Sequence, residues 1–314
     1  MLYIHSKITL SYMEPSTDEP ESAPLQSTLL IKSIFFILLL CFACVWQIKE
    51  SRPPKNFLAR NSYKETQKEL VKPADTKKKK RIYLTFDDGP NKGTRNVLDI
   101  IKEENVPVTF FVVGEHVFAS PGQKITWDSL VTSKHVEICN HSYSHAWHNK
   151  FDKFYQKPDS VISDFMKSQN KLNLSNNLVR TPGRNSWRID SIHFTDNKKS
   201  KSAIDSLQKA GFIVVGWDLE WHYDPKTLQV KKTGDDLLRQ IDNLFANGKT
   251  KYPDHLVILA HDQVYRGSND STQLRQFIQK LKQKDEYEIS FISNYPGLAK
   301  TNIDTAKQKQ VLPY

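Results

Sequence analysis

The sequence predicts an α/β domain built on about seven parallel strands, and three observations predict it. From Arg81 onward, short β-rich runs alternate with amphipathic helical patterns, as expected of parallel strands joined by crossover helices. The composition, 38% hydrophobic and 25% charged over 314 residues, is that of an ordinary globular chain. Polar and ionisable residues collect at the ends of the strand runs, where α/β barrels carry their active face. A barrel-like closure is preferred to an open sheet, although alternation alone leaves both open.

The strand runs are residues 82–87, 108–113, 135–139, 178–180, 212–217, 256–261 and 287–292. Helical periodicity places Val97, Leu98 and Ile101 on one face over residues 94–104, and Val161, Phe165 and Met166 over 161–172. Residues 202–210 end at Gly211, a good residue just past a helix C-terminus. Leu238, Ile241 and Phe245 share a face over 235–246, as do Leu274, Phe277, Ile278 and Leu281 over 271–284.

The folded domain is expected to span 81–297, followed by a C-terminal tail, 298–314. Residues 1–31 are polar and aperiodic, and read as a disordered segment. Within 32–48 lies an uncharged run, residues 34–46 (IFFILLLCFACVW). It is shorter than the roughly 20 residues of a spanning helix. It fits the apolar core of a secretory signal flanked by Lys32; lipid attachment at Cys44 and an uncleaved anchor are the alternatives. The basic segment lies on its C-terminal side, against the positive-inside bias, but long domains translocate despite flanking charge. Residues 49–80 hold Pro53, Pro54 and Pro73 among many Lys and Gln, and read as an extended linker. The expectation is a domain in the cell envelope, outside the cytoplasmic membrane, on a membrane or lipid tether.

The formal net charge is +10, so nucleic acid has to be considered. The charge lies in the wrong place for it. Residues 49–81 hold twelve Lys/Arg against four acids, leaving only +4 on 82–314. A charge run of this kind is usually solvated, and no reading module accompanies it, so no nucleic-acid partner is expected. The three cysteines, Cys41, Cys44 and Cys139, cannot form a disulfide framework inside the domain.

Three clusters carry chemistry. The first run ends in Thr85-Phe86-Asp87-Asp88-Gly89-Pro90; adjacent carboxylates at a strand end are costly to bury unless a cation or base neutralises them. After the third run comes His141-Ser142-Tyr143-Ser144-His145, whose four-residue spacing is expected to set both imidazoles on one side of a helical turn. With an Asp from another strand these give an Asp-His-His set that leaves coordination positions open for water and substrate, as in catalytic metal sites. The sixth run ends in Leu259-Ala260-His261.

Together these motifs identify a family. Over residues 81–296 the chain resembles the NodB-type polysaccharide deacetylases of carbohydrate esterase family 4. The resemblance implies a distorted (β/α) barrel, NodB-like, with one divalent metal ion, Zn2+, on Asp88, His141 and His145. It implies Asp87 as general base and His261 as general acid. The family's third motif, Arg-Pro-Pro-Tyr-Gly, reads here Arg180-Thr181-Pro182-Gly183-Arg184. Arg180 is expected to pair with Asp87 and Gly183 N–H to meet the oxyanion, while Arg184 brings a new charge. The fourth motif is also irregular, Trp217-Asp218-Leu219-Glu220-Trp221. Asp218 is the candidate for orienting His261, with Asp224 as alternative. Trp147, Trp187 and Trp221 follow these motifs and either stack on sugar rings or pack inside; Trp187 and Trp221 are carried as substrate contacts.

The activity so implied removes N-acetyl groups from an amino-sugar polymer or oligomer of peptidoglycan, chitin or poly-N-acetylglucosamine type, giving acetate and a free amine. The rivals are an O-acetyl xylan esterase on the same fold and a non-catalytic carbohydrate-binding protein of the envelope.

Overall fold

Successive side chains of a strand point to opposite faces, and that alternation decides what enters the barrel. In the computed structural model, which describes residues 78–298, one set of alternating residues makes an inner core of Tyr83, Phe111, Cys139, Leu178, Ile213, Val215 and Val257. The intervening residues, among them Ile82, Leu84, Phe86, Phe110, Val112, Ile258 and Ala260, pack outward with helix residues such as Val97, Leu98, Ile101, Leu237, Ile241 and Phe277. Both faces are apolar because both are covered, so the strands read as near-continuous hydrophobic runs.

The strands are β1 (Lys80–Asp87), β2 (Val108–Val112), β3 (Val136–Asn140), β4 (Leu178–Val179), β5 (Ser186–Ile189), β6 (Ile192–Thr195), β7 (Ile213–Val214), β8 (Leu219–Glu220), β9 (His255–His261) and β10 (Tyr287–Ile289). All seven expected runs are present. The pairs β1–β2, β2–β3, β3–β4, β4–β7, β8–β9, β9–β1 and β10–β1 are parallel. β7 and β8 are two parts of one stretch of chain. Val215 N still donates to Val179 O of β4, and Asp218 N already donates to Val257 O of β9. The chain changes partner between them, and this closes the ring covalently where the hydrogen-bond ladder is broken; the barrel is distorted at that point. The antiparallel hairpin β5–β6, attached to β7 through Arg188↔Val214, was not expected.

Helices lie over Thr94–Glu103, Pro121–Val131, Pro158–Lys171, Lys201–Lys209, Gly234–Ala246 and Ser268–Lys282. The helix Gly234–Ala246 starts at a reciprocal Thr233/Asp236 capping box. Met166, expected inside, is 45% exposed, and Ser168 is buried on that helix. The N-terminal segment, the apolar run 34–46 with Cys44, nearly all of the linker and the tail beyond Leu298 lie outside the described residues. Among those described, no helix is long and apolar enough to cross a membrane.

Trp187 and Trp221 correct an expectation. Both are fully buried, so neither offers a ring to a sugar. Trp187 sits on β5, tilted against Tyr295, with its indole N–H on Asn185 Oδ1. Trp221 packs between Phe277 and Tyr265 and donates to Lys232 O. Trp221→Ala is expected to cost about 3–5 kcal/mol of stability, as large-to-small core changes do. Urea unfolding measures it, and a loss below about 1 kcal/mol would refute the core assignment.

Candidate active site

The inward alternation continues past the apolar layer. Above Tyr83 and Thr85 on β1 comes Asp87; above Cys139 comes His141; above Leu178 comes Arg180; above Val257 and Leu259 comes His261. Parallel pairing sets all these strand ends on one rim. Asp87 and His261 are register partners on β1 and β9.

Arg180 is wholly buried. Its Nη1 donates to Asp87 Oδ1 at 2.8 Å and Thr85 Oγ1 at 2.7 Å, Nη2 to Gly216 O at 2.9 Å and Nε to Val215 O at 3.2 Å. The Phe111 ring lies 4.0 Å beneath the guanidinium. The expected Arg180–Asp87 contact is therefore present, and it leaves Asp87 Oδ2 toward the cavity, 3.6 Å from His141 Nε2.

Asp88, His141 and His145 bring one oxygen and two nitrogens within 4.8 Å of one another. His141 Nδ1 is 2.9 Å from Arg180 O and His145 Nδ1 meets Asn149 Oδ1. Both partners are acceptors, so each ring carries its proton on Nδ1 and turns the Nε2 lone pair inward, a second contact that commonly fixes metal-binding imidazoles. The Nε2 atoms lie 3.5 and 3.2 Å from Asp88 Oδ1, a buried oxygen with no hydrogen-bond donor. Two lone pairs facing a carboxylate oxygen repel unless a cation lies among them, so this donor set fits a divalent ion. The alternative to an ion is a second proton on the rings: burial pushes the Asp88 carboxyl up, but histidines so protonated outweigh it and hold it well below the usual carboxylate range. Burial likewise pushes His145 down, and Asp88 more than offsets that, so its value is raised.

The spacing of the two histidines needs correction. They do not share a right-handed helical turn. His141 directly follows β3, and His145 opens a turn, His145–Asn149, in which all five residues have left-handed φ between 47° and 66°. Left-handed backbone costs L-residues roughly 1–2 kcal/mol each. Buried Asp164 anchors the turn by accepting from Tyr143 N, Ser144 N and Ser144 Oγ. Asp88 is also left-handed, φ 75°, and its carbonyl is 2.7 Å from His116 Nδ1.

These groups line a cavity of about 510 Å³ with Gly183, Phe151, Trp217, Tyr223, Glu115 and Glu220. Gly183 has φ 63°, and a Cβ there would meet the Phe151 ring at 2.8 Å. His261 lies edge-on to Tyr223, and its Nδ1 is buried without a partner. Asp218 is not that partner, contrary to expectation: its carboxylate accepts from Lys251 N and Val257 N, lower down the barrel. Burial pushes Asp218 up to about 6. The alternative, Asp224, accepts from Lys226 N and Thr227 N in its own turn. Glu220, which was not singled out, sits opposite Leu259 and shares the cavity with His261.

Asp262, which with His261 ends the sixth run, was given no role from the sequence. It is fully buried beneath the Asp88 loop, where Asn91 Nδ2 and Thr94 Oγ1 bond to its two oxygens. Gly89 has to be glycine here, since a Cβ would lie 2.4 Å from Asp262 Oδ2. The residue after His261 thus fixes the loop that carries Asp88.

Fold and site together are those of a distorted parallel barrel with a candidate metal centre at its rim, and the chain is similar to polysaccharide deacetylases. The family model for polysaccharide deacetylase matches residues 74–184, which include the Asp87-Asp88 and His141/His145 motifs. A putative polysaccharide deacetylase of Bacillus subtilis, YheN, is 28% identical over 204 residues, 62% of this chain and 63% of that one. The peptidoglycan-N-acetylglucosamine deacetylase PgdA of Listeria monocytogenes is 38% identical over 95 residues, 30% of this chain and 18% of that one. The match thus spans less than two thirds of either relative. A Streptococcus mutans family 4 esterase structure is similar at 22% identity and TM-score 0.49, over 69% of this chain and 87% of that one.

Burial raises the Asp262 carboxyl to about 8, against the opposing bonds from Thr94 and Asn91. The folded value lies above the roughly 3.9 of an unfolded aspartate. The stability this group contributes is therefore full below about pH 4 and lost as pH rises through about 8. Relative to Asp262→Asn, the wild type is expected to lose up to ~1.4 kcal/mol per pH unit between about pH 5 and 8, and nothing further above that. Urea midpoints that run parallel for the two proteins across this range would rule it out.

Proposed function

We propose that this chain is a metal-dependent hydrolase that removes N-acetyl groups from an amino-sugar polysaccharide or oligosaccharide, releasing acetate and a free amine. The observation that carries this reading is the convergence of three ligand atoms, a buried carboxylate and a histidine on one cavity floor. Asp88, His141 and His145 would hold the divalent ion, for which Zn2+ suits the mixed nitrogen and oxygen donors. When bound, the ion supplies Lewis-acid polarisation and an acidified water.

The chain's own residues do the rest. Arg180 occupies Asp87 Oδ1, so Oδ2 is the oxygen left to take a proton from water. Gly183, at the cavity wall, offers its N–H to the oxyanion of the tetrahedral intermediate. His261, beside Asp87 in register, delivers a proton to the departing sugar nitrogen. Glu220 lines the same cavity but faces His222 at 3.2 Å, so it is not the partner of that imidazole here.

An amino-sugar substrate is supported by relatives whose names specify peptidoglycan-N-acetylglucosamine and chitin disaccharide. Such polymers fit an envelope location for the domain, with the run 34–46 or a lipid on Cys44 as tether.

The test is acetate release by the full chain from chitooligosaccharides, peptidoglycan, poly-N-acetylglucosamine and acetylxylan. Release from the first three is expected; release from acetylxylan alone would make it an O-acetyl esterase, and none at all a binding protein. Asp87→Asn should lose about 10²–10⁴-fold in rate and keep its metal. Asp88→Asn should lose both rate and metal by elemental analysis. The reverse pattern would exchange the two roles, and near wild-type rates in either variant would move the site elsewhere.

A further inference from the structure

We infer that Arg184 and neighbouring lysines form an anion subsite beside the catalytic cavity. The glycan taken by this chain would then carry a carboxylate or phosphate on a sugar next to the one losing its acetyl group. The sugar substrate rests on the deacetylase reading above; the anion preference rests on Arg184.

Arg184 directly follows Gly183, which lines the catalytic cavity. Phe151 also lines that cavity, and it borders two further depressions, of about 70 and 320 Å³, both walled by Arg184. Lys199 lines the smaller, and Lys150 and Lys153 the larger. The one acid in either wall is Asp152, whose carboxylate is 81% exposed and 3.4 Å from Arg184 Nη2. At that exposure and distance water screens the pair strongly. Positive charge is thus in excess there.

The guanidinium itself is under-used. Nη1 donates to Gly183 O at 3.0 Å, but Nε is buried and has no acceptor among the described residues. The terminal nitrogens are the accessible part, and Nη2 meets only the exposed Asp152 carboxylate at 3.4 Å among the described residues, so a carboxylate or phosphate can take them with the charge-assisted bonds that arginine favours. The catalytic cavity has the opposite character, with Asp87, Asp88, Glu115 and Glu220 in its wall. The positive excess lies at the depressions that share Phe151 with the catalytic cavity, so an anion is favoured on a sugar neighbouring the reacting one.

The test compares three tetramers of N-acetylglucosamine on the full-length protein: neutral, carboxymethylated and phosphorylated. The KM for acetate release should be about five- to tenfold lower for at least one anionic tetramer than for the neutral one, the size of a partly exposed charge-assisted contact. Which anion gains more identifies the group. Arg184→Gln should bring the ratio of the two KM values to about one, and Arg184→Lys should keep part of it. The ratio is the readout because a merely structural defect moves all three substrates together. Equal KM values in the wild type, or a ratio unchanged in Arg184→Gln, would overturn the subsite. If no tetramer yields acetate, the deacetylase reading fails. Calorimetric titration with the same tetramers then still reads the subsite, by the same affinity ratio and its loss in Arg184→Gln.

Discussion

The buried guanidinium of Arg180 is the contact on which the rest of the barrel depends. Taking such a charge out of water is costly unless every donor is met. Here the four acceptors come from two places: Asp87 and Thr85 on β1, and the carbonyls of Val215 and Gly216 in the wall. Thr85 passes the connection on by donating to Ile258 O of β9. Val215 and Gly216 lie where the chain leaves β4 and has not yet reached β9, so no strand is there to take their carbonyls. One side chain therefore mends the gap in the barrel and holds Asp87 in place. A lysine would bring the charge without the planar set of donors that spans these acceptors.

Strain sits next to this rigid centre. Five consecutive left-handed residues, with Trp147 among them, persist only where the surroundings over-determine them. Asp164 caps the loop ahead of the turn, and Trp147 rests edge-on against Phe154. The outcome is that His145 returns toward Asp88 soon after the chain has left β3. The lone pairs of His141 and His145 face one oxygen from a segment of only five residues, at the expense of unfavourable backbone.

Much of this was legible in the sequence, and the failures share a cause. The seven parallel runs and the rim of ionisable residues follow from alternation and chain order, which are local; closure was preferred but alternation left it open. Asp87, His141, Arg180 and His261 come together because each extends an inward-facing column, and Asp88 and His145 join them from left-handed loop backbone. What was not legible is height along a strand and depth below the surface. Asp218 and Glu220 stand two residues apart on one stretch, and only the register with β9 shows that Glu220 lies opposite Leu259 while Asp218 caps Val257 N. Trp187 and Trp221 follow active-site motifs in sequence but point into the packed interior. Asp262 reads as an ordinary polar strand end, since nothing local says that Asn91 and Thr94 fold over it. The β5–β6 hairpin hides in a stretch whose strand character appears only once β7 offers it an edge.

These constraints divide the site into two parts held by different forces. Asp87 and His261 sit side by side on adjacent parallel strands joined by seven residues of continuous register. Their separation is set by the roughly 4.8 Å spacing of a sheet rather than by loops. The three candidate ligands lie just beyond strand ends, on backbone that is left-handed at Asp88 and His145, and owe their positions to side-chain contacts. The groups proposed to move protons are thus the stiffer part, and the proposed ion centre the more adjustable. Asp262 bridges the two, because it follows His261 in the chain and grips the loop after Asp88. An apolar residue at this position would leave Asn91 Nδ2 and Thr94 Oγ1 without these acceptors and the loop after Asp88 without its link to the His261 strand.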